Sequence, residues 1–267
     1  MIDIHCHILP KLDDGPTTED EALDMARIAV DDGITDIVCT PHHLPGLYPT
    51  RSESIKAAVR SLQDLLDSAG IALTLHPGME IHVSAADPED LHQGKLLSLN
   101  NHGTAVLIEF PHQFVPQNMD TLFWTFLSRG IQPVLAHVER YPGLLSNPSP
   151  LEKWVHMGIM TQVTASSLLG RFGPDVEDFA WRLIESNLAH VLATDAHSPD
   201  FRRPQMREAS AVAENRLGLD VALNLVLHRP RDLIQGRSID LPDPLPLTET
   251  DTPPGFVHRI LGWMGKR

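Results

Sequence analysis

The feature that most constrains the fold is a junction that occurs four times along the chain. In each case a helical pattern ends in glycine, and isoleucine then opens an apolar run: Gly33-Ile34, Gly70-Ile71, Gly130-Ile131 and Gly158-Ile159. Glycine readily adopts the left-handed conformation that ends many helices, and isoleucine favours buried strands. Because helix ends and strand starts alternate, we predict βα units and a mostly parallel sheet.

Seven strands follow from the hydrophobic pattern. We expect them near residues 2–6, 35–40, 71–79, 105–110, 132–137, 159–164 and 190–194. Seven strands that alternate with helices favour a closed barrel, with an open parallel sheet as the alternative. The predicted fold class is therefore α/β, a (βα)7 TIM-like barrel.

Several residues predict where the intervening helices begin and end. Thr18 with Glu21 has the spacing of a capping box, which marks the start of the first helix. Ser52 and Ser149 are the expected N-caps of the second and fourth helices. A sixth helix is expected from about residue 204 to residue 217.

Histidines and carboxylates recur at or just after the ends of the predicted strands. They are His5, His7, Asp14, His42, Glu80, Glu109, His137, Asp195 and His197. Because the C-terminal ends of barrel strands meet on one face, all nine would share one cavity. Carboxylates brought so close would repel one another unless cations held them. The mixed nitrogen and oxygen set suits Mn²⁺, Fe or Zn²⁺, and nine ligands imply two or three ions with a bridging carboxylate.

Composition excludes several classes of function. The net charge of −14 argues against nucleic acid or an anionic membrane as the main partner. Two cysteines, Cys6 and Cys39, make no disulfide framework, so we expect a reducing cytoplasm. No apolar run reaches the ~18 residues of a membrane span, and His5 follows the start too closely for a signal peptide. Neither cysteine has an arginine at the spacing of a cysteine-dependent phosphatase, which disfavours that chemistry.

The composition changes near residue 240. Five prolines occur between residues 242 and 254, and a short apolar stretch follows over 256–264. Proline-rich segments of this kind form extended linkers. We therefore predict a barrel domain over residues 1–239, followed by a proline-rich linker and a short apolar tail over 240–267.

The strand-end motifs resemble one known family. The matching stretches are Met1–His7, Asp13–Pro16, Thr40–His42, Gly78–Glu80, Ile108–Phe110, Ala136–Tyr141 and Thr194–His197. They resemble the polymerase-and-histidinol-phosphatase (PHP) superfamily. Within it, they are most similar to the manganese-dependent bacterial protein-tyrosine phosphatases of capsule and exopolysaccharide operons, the CpsB/YwqE type. The resemblance covers about residues 1–235.

The resemblance implies a distorted (βα)7 barrel, the PHP fold, with a trinuclear manganese centre. One ion would be held by His5, His7, Glu80 and Asp195. Glu80 would bridge to a second ion, which Glu109 and His137 also bind. The third ion would be held by Asp14, His42 and His197. Arg140 and Arg203 would contact the substrate phosphate, and His42 or His197 is the candidate to protonate the leaving phenolate.

The function that follows is hydrolysis of phosphotyrosine in a cytoplasmic protein, which makes the chain a phosphoric monoester hydrolase. Its expected partner is a bacterial tyrosine autokinase of polysaccharide synthesis or export, and a homo-oligomer is a further possibility. Two alternatives remain open. One is a small-molecule phosphomonoesterase such as histidinol phosphatase, and the other is a non-catalytic metal-binding scaffold.

Overall fold

The computed structural model describes residues 1–247. Its strands are β1 Ile2–Cys6, β2 Asp36–Cys39, β3 His42–Leu44, β4 Tyr48–Pro49, β5 Thr74–Pro77, β6 Glu80–His82, β7 Ala105–Glu109, β8 Gln132–Leu135, β9 Met160–Thr164 and β10 Val191–Ala193. Its helices are α1 Glu19–Asp31, α2 Ser52–Ser68, α3 Pro88–His92, α4 Met119–Leu127, α5 Pro142–Ser146, α6 Ser149–His156, α7 Pro174–Glu185, α8 Arg207–Leu217, α9 Leu219–Leu223 and α10 Arg229–Ile234. A π-helical segment, Asn224–His228, joins α9 to α10.

The strands form a closed barrel, which confirms the predicted fold class. One parallel sheet has the order β1-β2-β5, and the other has the order β10-β9-β8-β7-β6-β3-β4, in which only the β3–β4 pair is antiparallel. Backbone bonds from His7 N to Ala196 O (2.9 Å) and from Asp195 N to His5 O (2.8 Å) join β1 to the segment after β10. Because β3 continues β2 and β6 continues β5, seven strand positions surround the barrel.

The single strand predicted over residues 71–79 is shorter in the structure and is interrupted. It forms β5 and then, after a break at Gly78, β6. A Cβ atom at Gly78 would lie only 2.5 Å from Val38 Cγ1, so only glycine lets the chain pass this close to β2. The break separates the pairing of β5 with β2 from the pairing of β6 with β3 and β7. Glu80 therefore begins a new strand.

A β-bulge in β1 sets the direction of the first two histidines. Asp3 pairs with Ile37 and Cys6 pairs with Cys39, so β1 has one residue more than β2 between these pairs. Ile2 and Ile4 pack in the cluster that fills the barrel interior, with Leu107 and Ala193 among its other members. Simple alternation along β1 would turn His5 and His7 away from that interior. The extra residue reverses the alternation and brings both imidazoles inside, above the apolar layer.

The helix boundaries agree with the sequence in some places and correct it in others. The capping box of Thr18 and Glu21 is confirmed at the start of α1. Ser52 and Ser149 are each the first residue of their helices and not N-caps. The Ser52 hydroxyl donates to Gly94 O (2.5 Å), because it is buried against the loop after α3.

The sixth predicted helix also begins later than expected. Helix α8 starts at Arg207, because the Asp32 carboxylate accepts hydrogen bonds from Met206 N (2.7 Å) and Arg207 N (2.8 Å). A distant carboxylate therefore caps this helix, and no local pattern indicates it.

The first part of the proline-rich segment lies against the barrel. Residues 240–247 contain no helix or strand, and Leu245 N donates to Ser186 O (2.8 Å). Leu247 N donates to Glu152 Oε1 (3.0 Å). This part of the predicted linker is thus extended and hydrogen-bonded to α6 and to the turn after α7. The apolar tail predicted at 256–264 lies outside the described residues.

Candidate metal centre

The nine histidines and carboxylates singled out in the sequence lie together at the C-terminal end of the barrel. Three subsets each have ligand atoms within 4.8 Å of one another, and the subsets share members. They are His5, His7 and Glu80; His42, Glu80 and Glu109; and His7, Asp14, His42 and His197. His137 lies 2.9 Å from Glu80, and Asp195 lies 3.5 Å from His5, so one continuous cluster joins six of the seven strand positions.

The deepest part of the cluster contains two imidazoles and two carboxylates, all essentially inaccessible to solvent. His5 Nε2 and His7 Nε2 are 3.2 Å apart. Each lies 3.3 Å from an oxygen of Glu80, and each lies 3.5 Å from Asp195 Oδ1. Four potential ligand residues thus surround one point, in agreement with the first of the three groups that the resemblance implies.

Glu80 stands between this group and a second one. Its Oε1 lies 2.9 Å from His137 Nε2, and its Oε2 lies 2.8 Å from His42 Nδ1. His42 Nδ1 is also 3.2 Å from Glu109 Oε1. Burial lowers the pKa of His137 to about 4, which leaves its imidazole neutral and able to bind a cation at pH 7.

The outer part of the cluster is more accessible. Asp14 Oδ1 lies 3.5 Å from His42 Nε2 and 3.4 Å from His197 Nε2. The His7 and His197 rings stack with their centroids 3.9 Å apart. His42 therefore takes part in two groups at once, with Nδ1 directed at Glu80 and Nε2 at Asp14.

The charges of the cluster raise the proton affinity of two histidines. Burial lowers the pKa of His7, but the charge and hydrogen bond of Asp13, with a further bond from Glu80, raise it to about 9. Burial also lowers the pKa of His42, but the charges of Glu80 and Glu109 outweigh it and raise the pKa to about 12. Five carboxylates lie within 3.5 Å of these two rings and favour their protonated forms, and divalent cations neutralise such a site more fully.

Unsatisfied buried atoms also fit a metal site. Glu80 Oε2 and His42 Nδ1 are 2.8 Å apart, but the angles at these atoms are not those of a regular hydrogen bond. Buried polar atoms without a partner are costly, and a cation between a carboxylate oxygen and an imidazole nitrogen removes that cost for both. The donor set of nitrogen and oxygen atoms is one that Mn²⁺, Fe or Zn²⁺ accepts.

Two residues that the strand-end pattern does not indicate hold the deep histidines in place. Asp13 Oδ2 accepts a hydrogen bond from His7 Nδ1 (2.6 Å), and Gln162 Oε1 accepts one from His5 Nδ1 (3.0 Å). Each acceptor fixes the proton on Nδ1 and leaves Nε2 directed into the cluster. Asp13 could have been found from its place beside Asp14. Gln162 lies within β9 and has no such signal.

Two arginines contact Asp195 from the other side. Arg140 Nη1 and Arg202 Nη2 both bind Asp195 Oδ2, and the Arg140 guanidinium lies 4.6 Å from the centre of the Phe172 ring. Burial raises the pKa of Asp195, but the surrounding histidine and arginine charges outweigh it and hold the pKa well below its usual range. Arg203 is exposed. Its neighbour Arg202, which has a positive φ of 59°, is the residue that contacts Asp195, and a contact of Arg203 with the substrate phosphate stays a prediction.

Other histidines and both cysteines lie outside the cluster. The ring of His43, the neighbour of His42, bonds through Nδ1 to Thr50 O (2.9 Å) and so belongs to the β3–β4 hairpin. His112 was not predicted near the site, yet its ring stacks on His137 with centroids 5.7 Å apart. Cys6 and Cys39 are buried, and burial raises the pKa of both thiols. Neither cysteine is therefore suited to act as a nucleophile.

Comparison with known proteins places this site in a family context. Residues 1–235 match the family model described as capsular polysaccharide synthesis, CpsB/CapC. The chain is 40% identical to tyrosine-protein phosphatase YwqE of Bacillus subtilis over 221 residues, which is 83% of this chain and 87% of that protein. It is 30% identical to tyrosine-protein phosphatase CpsB of Streptococcus pneumoniae over 244 residues, which is 90% of this chain and 100% of that protein.

Solved structures agree with the sequence comparison. The chain superposes with a TM-score of 0.88 and 38% identity on a crystal structure from work on YwqE from Bacillus subtilis and CpsB from Streptococcus pneumoniae, described as unique metal-dependent tyrosine phosphatases. The alignment covers 92% of this chain and 99% of that one. A β-aspartyl dipeptidase from Fervidobacterium islandicum has a TM-score of 0.54 at 14% identity, which concerns the fold alone. None of the described helices is both long and apolar enough to cross a membrane.

Proposed function

Because this chain belongs to the CpsB/CapC family of capsular polysaccharide synthesis proteins, we propose that it is a metal-dependent protein-tyrosine phosphatase. The observation that carries the proposal is the juxtaposition of a buried cluster of metal-binding side chains with two arginines. Arg140 and Arg202 share Asp195, and the Oδ1 atom of the same carboxylate faces His5 and His7. Metal ions and guanidinium groups side by side are what recognition of a phosphate monoester requires.

The proposed ligand assignment follows the three groups of side chains. One ion would be held by His5, His7, Glu80 and Asp195, a second by Glu80, Glu109 and His137, and a third by Asp14, His42 and His197. The ions are Mn²⁺, with Fe or Zn²⁺ as alternatives. Glu80 supports the bridging role because its two oxygens lie within 3.3 Å of nitrogens from four histidines.

The protein's own residues bind and orient the substrate. Bound divalent cations supply Lewis acidity, which lowers the pKa of water and offsets phosphate charge. Arg140 and Arg202 donate N–H groups to the phosphate oxygens, and their planar guanidinium groups suit this geometry. Phe172 beneath Arg140 limits where that guanidinium can lie. Because the deep part of the cluster is closed to solvent, these charges act in a weakly screened environment.

The contacts of His42 and His197 disfavour the proton-donor role that the sequence suggests for them. Both ring nitrogens of His42 lie within 3.5 Å of carboxylate oxygens. His197 Nδ1 bonds to Asp195 O (3.0 Å), and its Nε2 is 3.4 Å from Asp14. Neither histidine has a ring nitrogen left for the leaving group, so we assign both to metal binding alone.

The proposed substrate is a phosphotyrosyl protein of capsule or exopolysaccharide synthesis. The proposed partner is a bacterial tyrosine autokinase, whose phosphorylation this enzyme reverses in the cytoplasm. Two free cysteines buried in adjacent strands are in keeping with a reducing compartment.

Turnover measured on metal-free and metal-loaded protein tests the proposal. Treatment with a chelator should abolish hydrolysis of a phosphotyrosine peptide, and Mn²⁺ should restore it. His137→Ala should also abolish turnover and leave the protein folded, because the lost imidazole bonds to Glu80 within the polar cluster. Preference for histidinol phosphate over the peptide would favour the small-molecule alternative. Metal binding without any turnover would favour the scaffold.

A further inference from the structure

A cleft with a volume of about 430 Å³ lies beside the outer group of the cluster. Asp14 and His197 of that group line it, and so does Arg202, which contacts Asp195. Pro16 and Phe201 contribute apolar surface to the same cleft. A substrate whose phosphate reaches Arg202 would therefore place the group next to its phosphate in this cleft.

Phe201 is the most exposed large apolar side chain in the described part of the chain, with 79% of its surface accessible. Single exposed apolar residues are common on protein surfaces, so exposure alone carries no conclusion. The position of Phe201 is what sets it apart from the others. It directly precedes Arg202, in the loop that begins at the predicted ligand His197. Trp124, with 64% exposure, lies by contrast on the outer helix α4.

The backbone around Phe201 is held in a fixed turn. Phe201 N donates to Ser198 Oγ (2.9 Å), and the Ser198 hydroxyl donates to Phe201 O. His197 N donates to Arg202 O (3.0 Å), which closes the loop at its base. The exposed ring therefore lies on a hydrogen-bonded loop, and both ends of this loop, His197 and Arg202, belong to the site.

The other aromatic residues beside the cluster already have partners. Phe172 lies against the Arg140 guanidinium, and Tyr141 lies against Phe110 and His137. The Tyr48 ring stacks on His42, with centroids 5.5 Å apart and an angle of 14° between the planes. No stacking contact involves Phe201 among the residues that the structure describes. Phe201 is therefore a ring with free faces next to Arg202, one of the two arginines proposed to bind the phosphate.

We propose that Phe201 is a specificity-determining residue that packs against the aromatic ring of phosphotyrosine, so that the site favours aryl over alkyl phosphates. The inference rests on the proposed phosphatase function and goes beyond it by naming what selects the substrate. In phosphotyrosine the ring follows the phosphate directly, so it must lie just outside the phosphate-binding arginines. Aromatic pairs gain attraction beyond simple burial, whereas the short chain of phosphoserine offers no ring to contact.

Kinetics of Phe201→Ala, Phe201→Tyr and the control Trp124→Ala on the Mn²⁺-loaded full chain test the proposal. Phe201→Ala should lower kcat/KM for a phosphotyrosine peptide by about three- to tenfold, the range expected for a lost aromatic pair. Inhibition by inorganic phosphate should be unchanged, because phosphate does not reach the ring. Phe201→Tyr and Trp124→Ala should both behave as the wild type.

Two results would overturn the inference alone, with the wild type active on the peptide. One is an unchanged kcat/KM in Phe201→Ala. The other is an equal weakening of peptide turnover and phosphate inhibition, which would mean that the substitution disturbs Arg202. A wild type that does not hydrolyse the peptide at all would overturn the proposed function and this inference together.

Discussion

Replacing Gln162 tests whether the amide in β9 prepares His5 for metal binding. Gln162 is fully buried, and its Oε1 accepts hydrogen bonds from His5 Nδ1 (3.0 Å) and His137 N (3.1 Å). Gln162→Leu keeps a similar volume and removes the oxygen that accepts both hydrogen bonds. His5 then loses the bond that directs its Nε2 towards Glu80 and Asp195, although it keeps its place in the bulged strand.

The size of the expected effect follows from these contacts. Loss of the partner that orients a metal-binding histidine costs about 10- to 100-fold in metal affinity, or about 1.4–2.8 kcal/mol. The stability of the fold should change less. Leaving His137 N without an acceptor costs about 1–3 kcal/mol, but Gln162 Nε2 itself has no partner, and its removal offsets part of that cost.

Calorimetric titration of the metal-free protein with Mn²⁺ is the appropriate assay, because it reads affinity without any turnover. Gln162→Glu keeps an acceptor for His5 and should retain most of the affinity. Gln132→Leu is a matched control, since Gln132 bonds only to backbone carbonyls at the opposite end of the barrel. Wild-type affinity in Gln162→Leu, with a folded protein, would refute the orienting role.

Three further predictions follow from individual contacts. Arg202→Ala should weaken inhibition by inorganic phosphate about tenfold or more, whereas Arg203→Ala should have little effect. A larger effect of Arg203→Ala in the same inhibition assay would instead assign the phosphate contact to Arg203. Because the metal-free pKa values of His7 and His42 are about 9 and 12, cations must displace protons at pH 7. Mn²⁺ affinity measured by titration should therefore rise from pH 6 to pH 8, by about tenfold per pH unit for each proton displaced, and a flat profile would contradict this. Gly78→Ala should lower the free energy of unfolding in urea by about 1–3 kcal/mol, because its methyl group would overlap Val38, and unchanged stability would refute that close approach.

The strand-end rule brought together nine side chains that lie far apart in the sequence, because a parallel barrel delivers every strand terminus to one face. Glu109 ends a regular strand, and Asp195 lies two residues after one, so both positions follow simply from the pattern. His5 and His7 lie in the same cluster although β1 is irregular. The extra residue between Asp3 and Cys6 reverses the alternation of side chains along β1, and no local sequence pattern indicates it.

Residues that act through irregular backbone or from within a strand escaped prediction. Arg202 was passed over for Arg203 because its left-handed conformation, rare outside glycine, decides which of the two guanidinium groups faces the site. Gln162 carries no charge and sits inside β9, so neither its type nor its place suggests contact with a histidine 157 positions away. Asp32 likewise caps α8 across a long stretch of sequence. Contacts of this kind are set by the tertiary fold, and no local sequence pattern indicates them.

The metal content of the purified protein tests the central claim most directly, namely that the clustered side chains form one multinuclear centre. Elemental analysis after saturation with Mn²⁺ and removal of excess metal should give two or three ions per chain, and Glu80→Gln should lose at least one of them. Retention of no metal by the wild type, or an equal metal content in Glu80→Gln and the wild type, would contradict it.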